Sequence, residues 1–220
     1  MAVLEWDKDG QKLWYTGVEK TILFVQNNDG TYGKGVAWNG VTKIGEKPTG
    51  AEVKTLYADN GEYCNLTTKE KHEGSIEAYM YPDEFMECDG SKEIVTGLVA
   101  KQQTRKSFAL CYVTNIGNDV EGEDYGYKLV FVYGCKASPS QIDHNTIAED
   151  TDPQTMSWDY KTTAIDVPGM KKTAVLEVNS KKVDAAGLAE LEEIIYGTAS
   201  TDSRLPMPSE IIEKLTPSNP

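Results

Sequence analysis

The residues of this 220-residue chain with chemistry to offer are two histidines, four cysteines and a surplus of carboxylates. His72 lies in a charged stretch and His144 in a polar one. Neither stands in an Asp–His–Ser pattern, and no G-x-S-x-G nucleophile elbow occurs. Both histidines therefore read as solvated. Cys64, Cys88, Cys111 and Cys135 form no C-x-x-C and no Cys/His cluster, which argues against zinc. The Asp- and Asn-rich run 143–152 lacks the ligand spacing of a calcium loop. Glycines 33, 35 and 40 match neither phosphate-binding fingerprint, so they read as bulges and turns. The expectation is no catalytic residue, no cofactor and no metal.

Charge narrows the partners. The chain has 22 basic and 35 acidic residues, a net −13. A nucleic-acid grip needs clustered Lys and Arg, and no strand shows a basic stripe. Residues 1–10, MAVLEWDKDG, have neither a positive n-region nor an apolar h-region, so no secretion signal is expected. No apolar run approaches a membrane span, so no membrane partner is expected. Synthesis in a reducing cytoplasm then predicts four free thiols.

The elements that would position any site are mostly short strands. Leu13–Gln26 reads as a strand interrupted at Gly17, turning at Asn28-Asp29-Gly30 into a return segment 32–44. Lys47-Pro48-Thr49-Gly50 reads as a break. Strands are expected at 53–58, 62–68, 75–81, 107–113, 127–133, 156–164 and 173–178, with one helical turn at 83–87. Asp184 caps a helix with Leu188, Leu191 and Ile195 on one face, and Gly197 ends it. The predicted architecture is mainly β: a β-sandwich or partly closed barrel of antiparallel strands, one flanking α-helix and a long extended arm. Residues 1–197 read as a single domain with the arm at about 137–154. Residues 198–220 read as a Ser/Thr/Pro tail with room for a short helix at 209–215.

Two strands stand out. Residues 107–113 and 127–133 are apolar on both faces, so something must cover both. With one helix to do it, neighbouring subunits are the expected cover. Residues 156–164 alternate instead: Met156, Trp158 and Tyr160 face inward, while Ser157, Asp159, Lys161 and Thr163 face outward.

The block YGYKLVFVYGCKASPS followed by TMSWDYKTTAI resembles the major tail tube proteins of bacteriophages with long non-contractile tails, in the branch common among phages of Gram-positive bacteria. NDGTYGKGVAWNGV (28–41), YADNGEY (57–63), GSIEAYMYPDEF (74–85) and KSFALCYVTN (106–115) match in the same order. Residues 170–220 match less sharply. The resemblance implies a structural virion protein, made in the host bacterial cytoplasm and self-assembling into stacked hexameric rings that conduct DNA at ejection. It implies partners in further copies of the chain and in tape measure, tail terminator and tail-tip proteins, with DNA passing unbound. On it, the arm residues Ser138, Pro139, Ile142, Asp143, His144, Asn145 and Ile147 are expected to reach a neighbouring subunit. Ser157, Asp159, Lys161 and Thr163 are candidates for the lumen wall. The alternatives are a monomeric β-sandwich module binding carbohydrate or a surface, its aromatic residues forming the face, and the tube of a contractile injection machine.

Overall fold

The computed structural model describes residues 3–146 and 153–216. Twelve strands and three short helices are described. The strands are β1 (Leu13–Gln26), β2 (Tyr32–Ala37), β3 (Val41–Thr49), β4 (Val53–Ala58), β5 (Gly61–Thr67), β6 (Lys71–Ala78), β7 (Lys92–Val95), β8 (Leu98–Ala100), β9 (Phe108–Asn118), β10 (Gly122–Ala137), β11 (Met156–Thr162) and β12 (Val175–Asn179). The helices are α1 (Met86–Asp89), α2 (Ala185–Tyr196) and α3 (Pro208–Leu215). The protein is mainly β and antiparallel, as its patterning predicts.

One sheet runs β2-β1-β9-β10-β11-β6-β3, with β12 also paired to β10. Its ends, β2 and β3, do not pair with each other, so the sheet is sandwich-like and not a closed barrel. Strand β10 makes the fold. Its middle pairs with β12 at Lys128–Val132, and its end pairs with β11 at Cys135–Ala137. Between them Gly134 adopts φ +61°, and a Cβ there would meet the Thr163 carbonyl oxygen at 2.5 Å. Only glycine suits that bulge. The bulge turns β10 from one layer into the next.

Three layers result, with two cores between them. On one face of the middle layer Leu23, Phe108, Leu110, Tyr112, Val130 and Val132 pack against Ile76, Ala78, Trp158 and Tyr160 of the outer layer β11-β6-β3. Trp38, Phe85 and Trp158 fill this core with ring centroids 4.5–5.8 Å apart, the two pairs with Trp158 edge to face and Trp38–Phe85 tilted. On the other face Ile22, Phe24, Cys111, Val113, Leu129 and Phe131 pack against Leu188, Leu191 and Ile195 of α2 and Ile211 of α3. The doubly apolar strands are thus covered on both sides by their own chain. This corrects the expectation that a neighbouring subunit must supply the cover.

Two more boundaries differ from the sequence reading. Strand β3 does not break at Pro48, which stands opposite His72 in register. As the end strand of the sheet, β3 tolerates a residue without an N–H. The flanking helix α2, capped by Asp184 accepting from the N–H groups of Ala186 and Gly187, is joined by α3. Residues 203–215 lie on the body: Leu205, Pro206, Pro208 and Ile211 are buried, and the Tyr133 hydroxyl donates to the Pro206 carbonyl at 2.9 Å.

Candidate assembly surface

The outward residues of β11 lie on a polar wall. Ser157, Asp159 and Lys161 are exposed and stand opposite Glu77, Ser75 and Glu73 of β6, which stand opposite Lys43, Gly45 and Lys47 of β3. Three cations and three carboxylates therefore alternate across one face. Lys43 pairs with Glu77 at 3.0 Å and Lys161 with Glu73 at 3.5 Å. The wall is close to neutral despite the chain's −13. Thr163 falls one residue past β11, where its backbone N–H donates to the Gly134 carbonyl at 3.0 Å. The structure thus brings Ser157, Asp159 and Lys161 together and leaves Thr163 at the corner of the sheet.

The arm begins as an extension of the β10–β11 pairing, with the Ser138 N–H donating to the Asp159 carbonyl at 2.8 Å. Pro139 and half-buried Ile142 then line a groove with Gly90, Gln102 and Arg105. Asp143, His144 and Asn145 are exposed and have no secondary structure. Ile147 lies outside the described residues.

Two hairpins stand clear of the layers. β4 and β5 pair only with each other, through a turn in which Asp59 and Asn60 hold φ +50° and +62°. Positive φ at both central residues matches strand twist, as Asn and Asp allow. Val53, Tyr57, Tyr63 and Leu66 on this hairpin are each more than half exposed. β7 and β8 form a second, shorter hairpin with Ile94, Val95 and Leu98 exposed. The sequence reading missed it. Residues exposed on both faces leave no inward–outward alternation, so its only signal was Thr96-Gly97 between short apolar runs.

Chemistry is thin elsewhere. His144 is exposed, and His72 is half-buried on β6, where burial draws its pKa below the ordinary value against the pull of Glu46 and Glu70. The Tyr112 hydroxyl donates to Glu46, and burial first, then that carboxylate, push its pKa well up. The four cysteines are free thiols. Burial raises the pKa of Cys88 to about 12 and pushes those of Cys111 and Cys135 well above the ordinary thiol value, so none of the three offers a ready thiolate. Among the described residues no group of three His, Cys, Asp or Glu is placed to hold a metal ion, and no helix is long and apolar enough to cross a membrane. No protein-family model matches the chain, and no curated protein matches it.

Proposed function

We propose that this chain is a structural, self-assembling protein of the tail tube kind, forming stacked hexameric rings whose bore conducts DNA. The observation that carries the reading is the β4–β5 hairpin. A two-stranded ribbon is marginal in water on its own. This one presents Val53, Tyr57, Tyr63 and Leu66 to solvent and has no strand partner beyond itself among the described residues. A neighbouring subunit is the surface that would order it. The five sequence blocks, in order over residues 28–166, support the same reading, and the near-neutral wall of β11, β6 and β3 suits a bore that phosphate slides along without gripping. On this reading the arm reaches across a subunit boundary, and the tape measure, terminator and tip proteins are partners at the tube's contents and ends.

Electron microscopy of concentrated protein tests it. Rings or tubes are expected, and a chain that stays monomeric at millimolar concentration refutes the proposal. The hairpin's part is tested by replacing residues 51–68 with a short glycine link. Gly50 and Lys69 already lie side by side, since a Cβ on Gly50 would meet the Lys69 carbonyl oxygen at 2.3 Å. The variant should melt like the parent and fail to assemble.

A second reading has one observation in its favour. Both faces of the central strands are covered within one chain, so nothing in the core demands a neighbour. A monomeric β-sandwich binding module fits that fact, and the same micrographs separate the two.

A further inference from the structure

At the end of β2 the sheet leaves an opening. The last bond from β2's side runs from the Trp38 N–H to the Thr21 carbonyl, at 2.8 Å. Beyond it, residues 13–20 of β1 pair with β9 alone, so their other edge is open. A cleft of about 740 Å³ lies there, between β1, the turn after β2 and the loop after α2. That is within the size range of ligand sites, about 300–1,000 Å³. Val18, Trp38, Val41 and Tyr196 give it apolar walls. Thr21 lines it too. Thr21 is only 4% exposed, and its hydroxyl has no hydrogen-bond partner. A buried hydroxyl without a partner is costly, and a small shift of the cleft wall on binding would let an occupant supply one.

The chain itself contains a segment of matching chemistry. Val3, Leu4 and Trp6 are 85%, 75% and 77% exposed, on a stretch without secondary structure. In extended form Leu4 and Trp6 point to one side and Glu5 to the other. At the cleft mouth Lys20 stands 5.7 Å from the Tyr196 ring centroid and forms no ion pair among the described residues. It is a ready partner for Glu5, which now pairs with Lys8 on the surface.

The segment does not occupy its own cleft, since Val3, Leu4 and Trp6 are exposed. The Asp119 carboxylate accepts from the Gly10 and Lys12 N–H groups, which pins the chain at the far end of β1. From Leu13 to Thr21 is eight residue steps of β1, at most about 26 Å at strand rise and less with the bulges between Thr16 and Ile22. Trp6 lies four steps from Gly10 and Leu4 six, reaches of at most about 14 and 22 Å.

We propose that residues Val3–Trp6 of one copy dock, extended, into the Thr21–Trp38 cleft of a second copy, with Leu4 and Trp6 against the apolar walls and Glu5 facing Lys20. The inference rests on the assembly reading and names the contact it would use.

The test mixes two single variants, Val3→Cys and Asn39→Cys, each made in a Cys64→Ser background so that only buried native thiols remain. Asn39 lies on the cleft and is exposed, and Val3→Cys leaves Leu4, Glu5 and Trp6 in place. After mild oxidation the mixture should give more covalent dimer on a non-reducing gel than either variant alone, and peptide mass spectrometry of that band should find a disulfide joining positions 3 and 39. Absence of the mixed dimer at concentrations where micrographs show rings or tubes overturns the docking and leaves assembly standing. Absence of both overturns the docking and the assembly reading together. As a second readout, Trp6→Ala should raise the concentration needed for assembly about tenfold, as loss of an aromatic anchor does. Lys20→Glu should also raise it, and Glu5→Lys in the same chain should restore it. An unchanged threshold in all three counts against the contact.

Discussion

Gly187→Ala is the substitution whose sign the structure decides. In a free helix, replacing glycine by alanine stabilises by about 1 kcal/mol. Gly187 sits in the first turn of α2, buried against α3. A Cβ there would lie 2.2 Å from the Lys214 carbonyl oxygen and 3.2 Å from its carbon. Ordinary contact needs roughly 1 Å more, and the obstacle is backbone, which does not rotate aside as a side chain would. Overpacking of this kind costs about 1–3 kcal/mol. The helix gain offsets part of it, leaving a net loss of about 1 kcal/mol, or roughly 2–4 °C in Tm for a chain this size. The control is Ala189→Gly on the exposed face of the same helix, which should lose about 1 kcal/mol from propensity alone. Thermal unfolding by circular dichroism reads both. If Gly187→Ala melts 2–4 °C higher than the parent, α3 is not held against α2 and residues 203–215 are an appendage after all.

Three further outcomes are expected. Arg204 grips Glu210 through two bonds, at 2.7 and 2.5 Å, and holds its pKa below the ordinary glutamate value of ~4.3. Stability from this pair is therefore present above about pH 4.3 and lost as pH falls through the depressed value, by ~1 kcal/mol or less for an exposed pair. Arg204→Ala should flatten that part of the pH–stability curve, and an unchanged curve refutes the pairing. Glu73→Gln with Glu77→Gln leaves Lys43, Lys47 and Lys161 opposed by Asp159 alone, so assembled protein should gain DNA binding at low salt that fades as salt rises; no gain means this wall does not face the DNA. Alkylation of native protein should modify Cys64 only, and all four cysteines once denatured, as mass spectrometry would count; rapid native labelling of Cys111 would contradict the buried core.

The sequence made some of this legible and hid the rest for physical reasons. The alternation in 156–164 gave the wall of β11, because a strand with one wet face writes its orientation into its own residues. Asp184 and Gly197 marked the ends of α2 through local backbone chemistry. Residues 107–113 and 127–133 declared themselves apolar on both faces, but the identity of the cover did not show. It comes from residues 41–49, 71–78 and 156–162 on one side and 185–215 on the other, far away in the chain. The final segment reads as a tail because Ser, Thr and Pro dominate it, and only its position beside Tyr133 reveals why Leu205 and Pro206 are buried. The cleft at Thr21 left no trace at all, since three separate stretches build it.

The place of β9 and β10 at the centre of the layers also sets a timetable. Strand β1 gains β2 at once along residues 22–26, but residues 13–20 leave the ribosome with no partner, and β9 follows about ninety residues later, at 108–118. At 5–20 residues per second that wait is about 5–20 s. During it the open edges of β1, β2 and β3, and the exposed hairpin of β4 and β5, are all presented before any core exists to hold them in register. The β9–β10 pair joins neighbours in sequence and closes quickly once made, whereas β11 and the two helices arrive last. Binding-competent geometry is therefore reached only when the C-terminal third has been synthesised, which delays ordered association until the chain is nearly complete and makes early truncation products the species most prone to aggregate.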